Sequence, residues 1–151
     1  MRLVHWLGLG MMLAVVPAAT AAPMEVGSGV NEARVYIEWV DGFRVEYLVR
    51  FGVTEADTTT GLGLLDIVEA ESELVITRAD YGWGIAVDGF RYQDHNDVGY
   101  GGGDLWWHYW TDNAGSRESW ISPLTGAADR IVRHGDADGW IYGHGDAPKP
   151  A

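Results

Sequence analysis

Val35-Tyr36-Ile37-Glu38-Trp39-Val40-Asp41-Gly42-Phe43-Arg44-Val45-Glu46-Tyr47-Leu48-Val49-Arg50-Phe51 decides the fold class. The first run is rich in β-branched and aromatic residues, which suit a pleated, half-buried surface. In the second, apolar and charged residues alternate over much of the run, as in a strand with one face inward. Asp41-Gly42 between them is a hairpin signal, because tight hairpin turns favour positive φ. The pentapeptide Val-Asp-Gly-Phe-Arg occurs at 40–44 and again at 87–91. The second copy predicts a second turn of the same kind, a reuse of a good device rather than an internal duplication.

Between the two copies lies one helix candidate. Thr58-Thr59-Thr60 can cap its start, since a hydroxyl oxygen accepts an orphan amide hydrogen bond. Leu62, Leu65 and Val68 then recur at helical spacing, with Leu64 and Ile67 widening the apolar face. The helix should end near Ala70-Glu71, and Leu74-Val75-Ile76-Thr77 returns to strand. Asp94 to Asp104 reads as a polar, glycine-rich loop that includes Tyr100. Leu105-Trp106-Trp107-His108-Tyr109-Trp110 follows as a strand with aromatic residues on both faces. Gly139-Trp140-Ile141-Tyr142-Gly143 is the last predicted strand. The sum is an α+β domain over residues 33–144, one helix packed on a mostly antiparallel sheet. Residues 22–32 read as a flexible lead-in and residues 145–151 as a disordered tail with no apolar anchor.

Residues 1–21 have the order of a secretory signal: Arg2, an apolar run from Leu7 to Val16, Pro17, and Ala19-Thr20-Ala21 at the processing site. That run falls short of the roughly 20 residues a membrane-crossing helix needs. The expectation is a secreted or periplasmic protein with no membrane span after cleavage. Without Arg2, nine basic side chains face 22 acidic ones, a balance of −13. Such a field repels a phosphate backbone, which argues against nucleic acid as a partner. The chain has no cysteine, so thiolate chemistry and cysteine-held zinc are excluded.

The aromatic strand is the main candidate for function. Alternation places Trp106, His108 and Trp110 on one face and Trp107 and Tyr109 on the other. One face makes core; the other either closes a second core layer or presents rings to a flat ligand. Asp136-Ala137-Asp138-Gly139 has the look of a calcium loop, but the twelfth position is Ala147 rather than a glutamate, so Asp136 and Asp138 stand as a weak calcium candidate only. No nucleophile motif, metal-spaced histidine pair or phosphate loop is present, and nothing in the sequence argues for an enzyme.

The order of Leu62-Gly63-Leu64-Leu65, Tyr81-Gly82-Trp83-Gly84-Ile85-Ala86-Val87-Asp88-Gly89, Trp106-Trp107-His108-Tyr109-Trp110, Gly126-Ala127 and Arg133-His134-Gly135-Asp136 with Trp140 resembles the transcobalamin/intrinsic-factor C-terminal domain and its small secreted bacterial relatives. The resemblance spans about residues 43–143. It implies a β-grasp-like fold that forms a half-shell for cobalamin, with Trp106, Trp107 and His108 in the ligand-facing stretch. His108 stands where that family has glutamine, and Trp83 matches a family tryptophan before a turn. The helical domain that supplies the other half of the site in the eukaryotic carriers has no counterpart in this sequence. The resulting expectation is a non-catalytic small-molecule-binding domain, with a corrinoid as the possible ligand and Trp83, Tyr100, Trp106, Trp107, His108 and Trp110 as ligand-binding residues. The alternative is an extracellular interaction module for a protein or polysaccharide.

Overall fold

The computed structural model describes residues 22–116 and 118–149, so the secretory-signal expectation lies outside the described residues. The opening hairpin forms as β2 (Asn31–Glu38) and β3 (Arg44–Phe51), in register from Asn31↔Phe51 to Glu38↔Arg44. Its connection differs from a two-residue Asp-Gly turn. Gly42 N donates to Trp39 O and Trp39 N donates to Phe43 O, both at 2.9 Å, and Gly42 alone in the loop has positive φ, at +83°. This is the three-residue loop whose last residue makes a glycine bulge. Along β3, Val45, Tyr47, Val49 and Phe51 face the core while alternate residues do not.

β1 (Met24–Gly27) pairs in parallel with β3, so the expected flexible lead-in contains an edge strand. The reason lies in two inward side chains: Val26 joins the core, and buried Asn31 donates through Nδ2 to Thr54 O at 2.7 Å. A brief strand β4 (Thr59–Thr60) leads into helix α1 (Gly61–Glu71). Thr60 caps the helix, its Oγ1 accepting from Gly63 N at 2.9 Å. Leu64, Leu65 and Val68 are fully buried beneath it. Burying a leucine contributes about 1.5–3 kcal/mol, so this one face fixes the helix on the sheet.

β5 (Val75–Asp80), β6 (Ile85–Tyr92) and β7 (His95–Val98) form an antiparallel three-stranded sheet. The second copy of the pentapeptide is not a turn. Val87 to Arg91 run inside β6, paired with β5 apart from a bulge at Asp88 and with β7 from Gly89 onward. Reversal occurs instead at Tyr81–Gly84 and at Gln93-Asp94, where Gln93 takes φ +53°. Gly89 is needed for close approach: a Cβ there would sit 2.6 Å from Asp97 O and 2.8 Å from Val98 Cα. Phe90 is fully buried and its carbonyl accepts from Trp39 Nε1 at 3.1 Å.

β8 (Trp106–Asp112) and β10 (Ala137–Gly143) complete the large sheet, and β9 (Ile131–Val132) pairs with β4. The strand order is β1-β3-β2-β10-β8, with β10 parallel to β2 and antiparallel to β8. The fold is α+β, with one helix among the described residues and mostly strands in mixed and antiparallel sheets. Beyond β10 the described part of the tail, through Lys149, packs on the sheet: Pro148 is buried and, with Trp120, lies over Gly139. A proline ring against a bare glycine backbone is the apolar anchor that the composition of the tail conceals.

Candidate functional site

β8 divides its aromatic residues as alternation requires. Trp107 enters the core, edge-on to Trp39 at 5.9 Å and to Phe90 at 4.7 Å, and its Nε1 donates to Asp97 O at 2.9 Å. Tyr109, also inward, stacks on Trp140 at 4.3 Å. Of the residues expected to meet a ligand, Trp107 is therefore a core residue. Trp110 is half-buried and its indole N–H is enclosed without a partner among the described residues.

The remaining rings form an open group. Trp106 is 39% exposed, with His108 at 4.7 Å on one side and Tyr100 at 6.2 Å on the other. Tyr100 is 69% exposed, and its hydroxyl donates to Gly103 O at 2.8 Å, which ties the ring to its own loop. His108 Nε2 lies 2.9 Å from Gly143 O and 3.4 Å from Asp104 O. Two carbonyls can only accept, so Nε2 carries a hydrogen toward them. The three rings thus line the start of an edge strand. Trp83 stands apart at the β5–β6 turn, 80% exposed and stacked on Tyr81 at 5.8 Å. Gly99 N donates to Asp88 O, which brings the Tyr100 loop to the same end of the small sheet as that turn.

Asp136 and Asp138 do not form a calcium loop. Both are buried and committed to protein partners. Asp136 Oδ2 accepts from Arg133 N at 2.9 Å and from Arg130 Nη2 at 3.2 Å. Asp138 Oδ2 accepts from Tyr109 OH at 2.6 Å, and its other oxygen lies 3.5 Å from Arg130 Nε. Burial pushes the Asp138 carboxyl up to about 6, against the pull of Tyr109 and Arg130. Burial likewise raises the Tyr109 phenol well above its ordinary range. Among the described residues no group of three or more histidines and carboxylates is placed to hold a metal ion.

Among the described residues, three shallow clefts mark the surface. One of about 400 Å³ lies between α1 and β3, against Arg50, Ile67 and Glu71. Another, of about 260 Å³, separates the β2–β3 loop from the tail, against Trp39, Tyr142 and Lys149. The third, of about 200 Å³, is lined by Asp41, Asp94, His95 and Asp97. None of the three is lined by Trp83, Tyr100, Trp106 or His108. His95 was not legible as an organiser in the sequence. It stacks on Phe43 at 3.8 Å and bonds Asp41 at 2.8 Å, joining two hairpins.

No family model matches the chain, and no curated protein matches it. Among solved structures it is similar to a protein of Ruminococcus gnavus ATCC 29149 to which metal binding is ascribed. The two are 15% identical over 78% of this chain and 100% of the other, with a TM-score of 0.48. A likeness that distant carries no argument about function.

Proposed function

We propose that this chain is a non-catalytic, exported binding module that takes a flat ligand on the Tyr100–Trp106–His108 platform, a corrinoid being the first ligand to test. The observation that carries the reading is the contiguity of those three rings at the edge of the sheet, with Tyr100 and Trp106 exposed and His108 half-buried. Large aromatic surface left in water marks a binding site more often than an accident of packing. The strand order supports a β-grasp-like arrangement: β10 lies in parallel beside β2 and separates it from β8, and the helix follows the first hairpin. That arrangement favours the resemblance to the transcobalamin C-terminal domain. An open platform meets one face of a macrocycle, so the other face would need a second body, a partner protein.

The second reading is an interaction module for a polysaccharide or protein. The separate Tyr81–Trp83 stack favours it, because two aromatic stations suit an extended ligand. Tryptophan fluorescence of the purified protein, titrated with cyanocobalamin, cobinamide and a soluble polysaccharide panel, separates the two. Saturable quenching by a corrinoid that Trp106→Ala abolishes supports the first reading. A response to polysaccharide alone, lost in Trp83→Ala, moves the assignment to the second. No response to any probe overturns the platform.

A further inference from the structure

The outer edge of β8 is filled at both ends and open in the middle. Thr111 and Ile121 exchange two main-chain hydrogen bonds of 2.9 Å, so the peptide groups of Thr111 point away from β10. Along a strand these directions alternate, which aims the N–H and C=O of Tyr109, Trp107 and Leu105 the same way. Leu105 is satisfied by the preceding loop, bonding Gly101 N and Gly102 O. Trp107 and Tyr109 bond to no main-chain or side-chain group through these atoms among the described residues. Main-chain N–H and C=O groups are almost always paired in folded proteins, so these four are left for water or for a partner.

Among the described residues, the segment after Ile121 does not close the gap. Continuing the antiparallel ladder from Thr111–Ile121 would set residue 123 opposite Tyr109, and that residue is proline, which has no N–H to donate. Natural sheets blunt their edges in several ways, and here the blunting stops short by two residues.

We infer that this gap is a slot for a short extended segment of a cationic partner protein, which adds as a strand beside Trp107 and Tyr109. Main-chain bonds from two residues would give the register, and charge would choose the partner. Asp104 is exposed just before Leu105 and Glu118 is exposed shortly before Ile121, so both ends of the slot carry carboxylates. The whole chain has 22 acidic against 10 basic side chains. A second copy is disfavoured as the occupant, because its like charge repels it. The slot uses main-chain groups, not ring faces, and stands whether or not the platform binds a corrinoid.

Residue-resolved amide exchange tests it. The probes are an eight-residue peptide of alternating lysine and valine, the same peptide N-methylated at alternate residues, and its glutamate-valine counterpart. In the free protein, Trp107 and Tyr109 should exchange at least tenfold faster than His108 and Trp110, which face β10. Saturating lysine-valine peptide should slow those two amides at least tenfold, and the other two peptides should leave them unchanged. Pro123→Val, which restores a donor opposite Tyr109, should weaken the peptide effect severalfold. Equal protection by the glutamate peptide, slow exchange of both amides in the free protein, protection that grows with protein concentration alone, or no response to the lysine peptide would each overturn the proposal.

Discussion

Val-Asp-Gly-Phe-Arg takes two different forms in one molecule. At 40–44 it rounds a hairpin in solvent, with Gly42 at φ +83° and open space where a side chain would be. At 87–91 it lies within a strand, paired with β5 and from Gly89 also with β7, with Asp88 the extra residue of a bulge where Thr77↔Gly89 gives way to Arg78↔Val87. Five identical residues therefore do not settle a turn. What settles it is whether a partner strand waits on each side. Phe43 is shared between a stack on His95 and the core margin, whereas Phe90 is enclosed by Trp39, Trp107 and Trp140.

The largest expected break in this pairing is at the phenylalanines. Phe90→Ala should cost about 3–5 kcal/mol, since it empties the centre of the aromatic core, and Phe43→Ala about 1 kcal/mol. Denaturant unfolding of both variants checks the ratio; equal losses would mean that the two sites are equally buried in solution.

Aspartates in the two kinds of setting extend the contrast. Asp138 is buried beside Asp136 with one guanidinium between two carboxylates, and its carboxyl is raised to about 6. A raised acid pKa means that the folded state binds the proton more tightly than the unfolded chain. Its stabilising contribution is complete below about pH 4 and disappears as pH rises through 6. Stability should therefore fall by about 2–3 kcal/mol over that window from this group, at 1.36 kcal/mol per pKa unit. Unfolding followed from pH 4 to 8 in the parent and in Asp138→Asn checks it, because the amide should flatten this component. Asp41 has the opposite sign. Its carboxyl is held below its ordinary value by the Phe43 N–H, despite an opposing desolvation effect, and by His95. Its contribution is present above about pH 4 and fades on acidification, and its exposure keeps the effect small.

The glycines sharpen the comparison with smaller effects. Gly89→Ala must move main chain of β7 and should cost about 1–3 kcal/mol, the range for overpacking. Gly42→Ala meets no atom and bears only the left-handed backbone penalty, about 1 kcal/mol. Thermal melts of the two variants, read against each other, show which constraint is steric and which is conformational.

Local signals carried the first hairpin, the capped helix and the face assignment of β8, because each depends on neighbours a few residues away. Thr60 and Gly63 are three apart, and the alternation from Trp106 to Trp110 needs no tertiary knowledge. The misread parts depend on distant contacts. β1 is a strand because β3 lies beside it, Pro148 is an anchor because Gly139 lies beneath it, and Gly89 is not a turn because β7 covers it. The calcium-like Asp136 and Asp138 were ambiguous for the same reason. Arg130 and Tyr109 compete for their oxygens, and Tyr109 lies 29 residues from Asp138. In the candidate site, alternation already set Trp107 apart from Trp106 and His108, but which face turned inward was decided only by the core that took Trp107.

The position of β10 has a kinetic consequence. The strand that fills the middle of the large sheet is the last one formed along the described chain, parallel to one of the first. Until Ala137–Gly143 inserts, β2 and β8 have no common partner strand. Such long-range closure makes folding slow and strongly cooperative. A chain interrupted before Ala137 would expose two adhesive strands at once, and its fate would be aggregation rather than a stable half-domain.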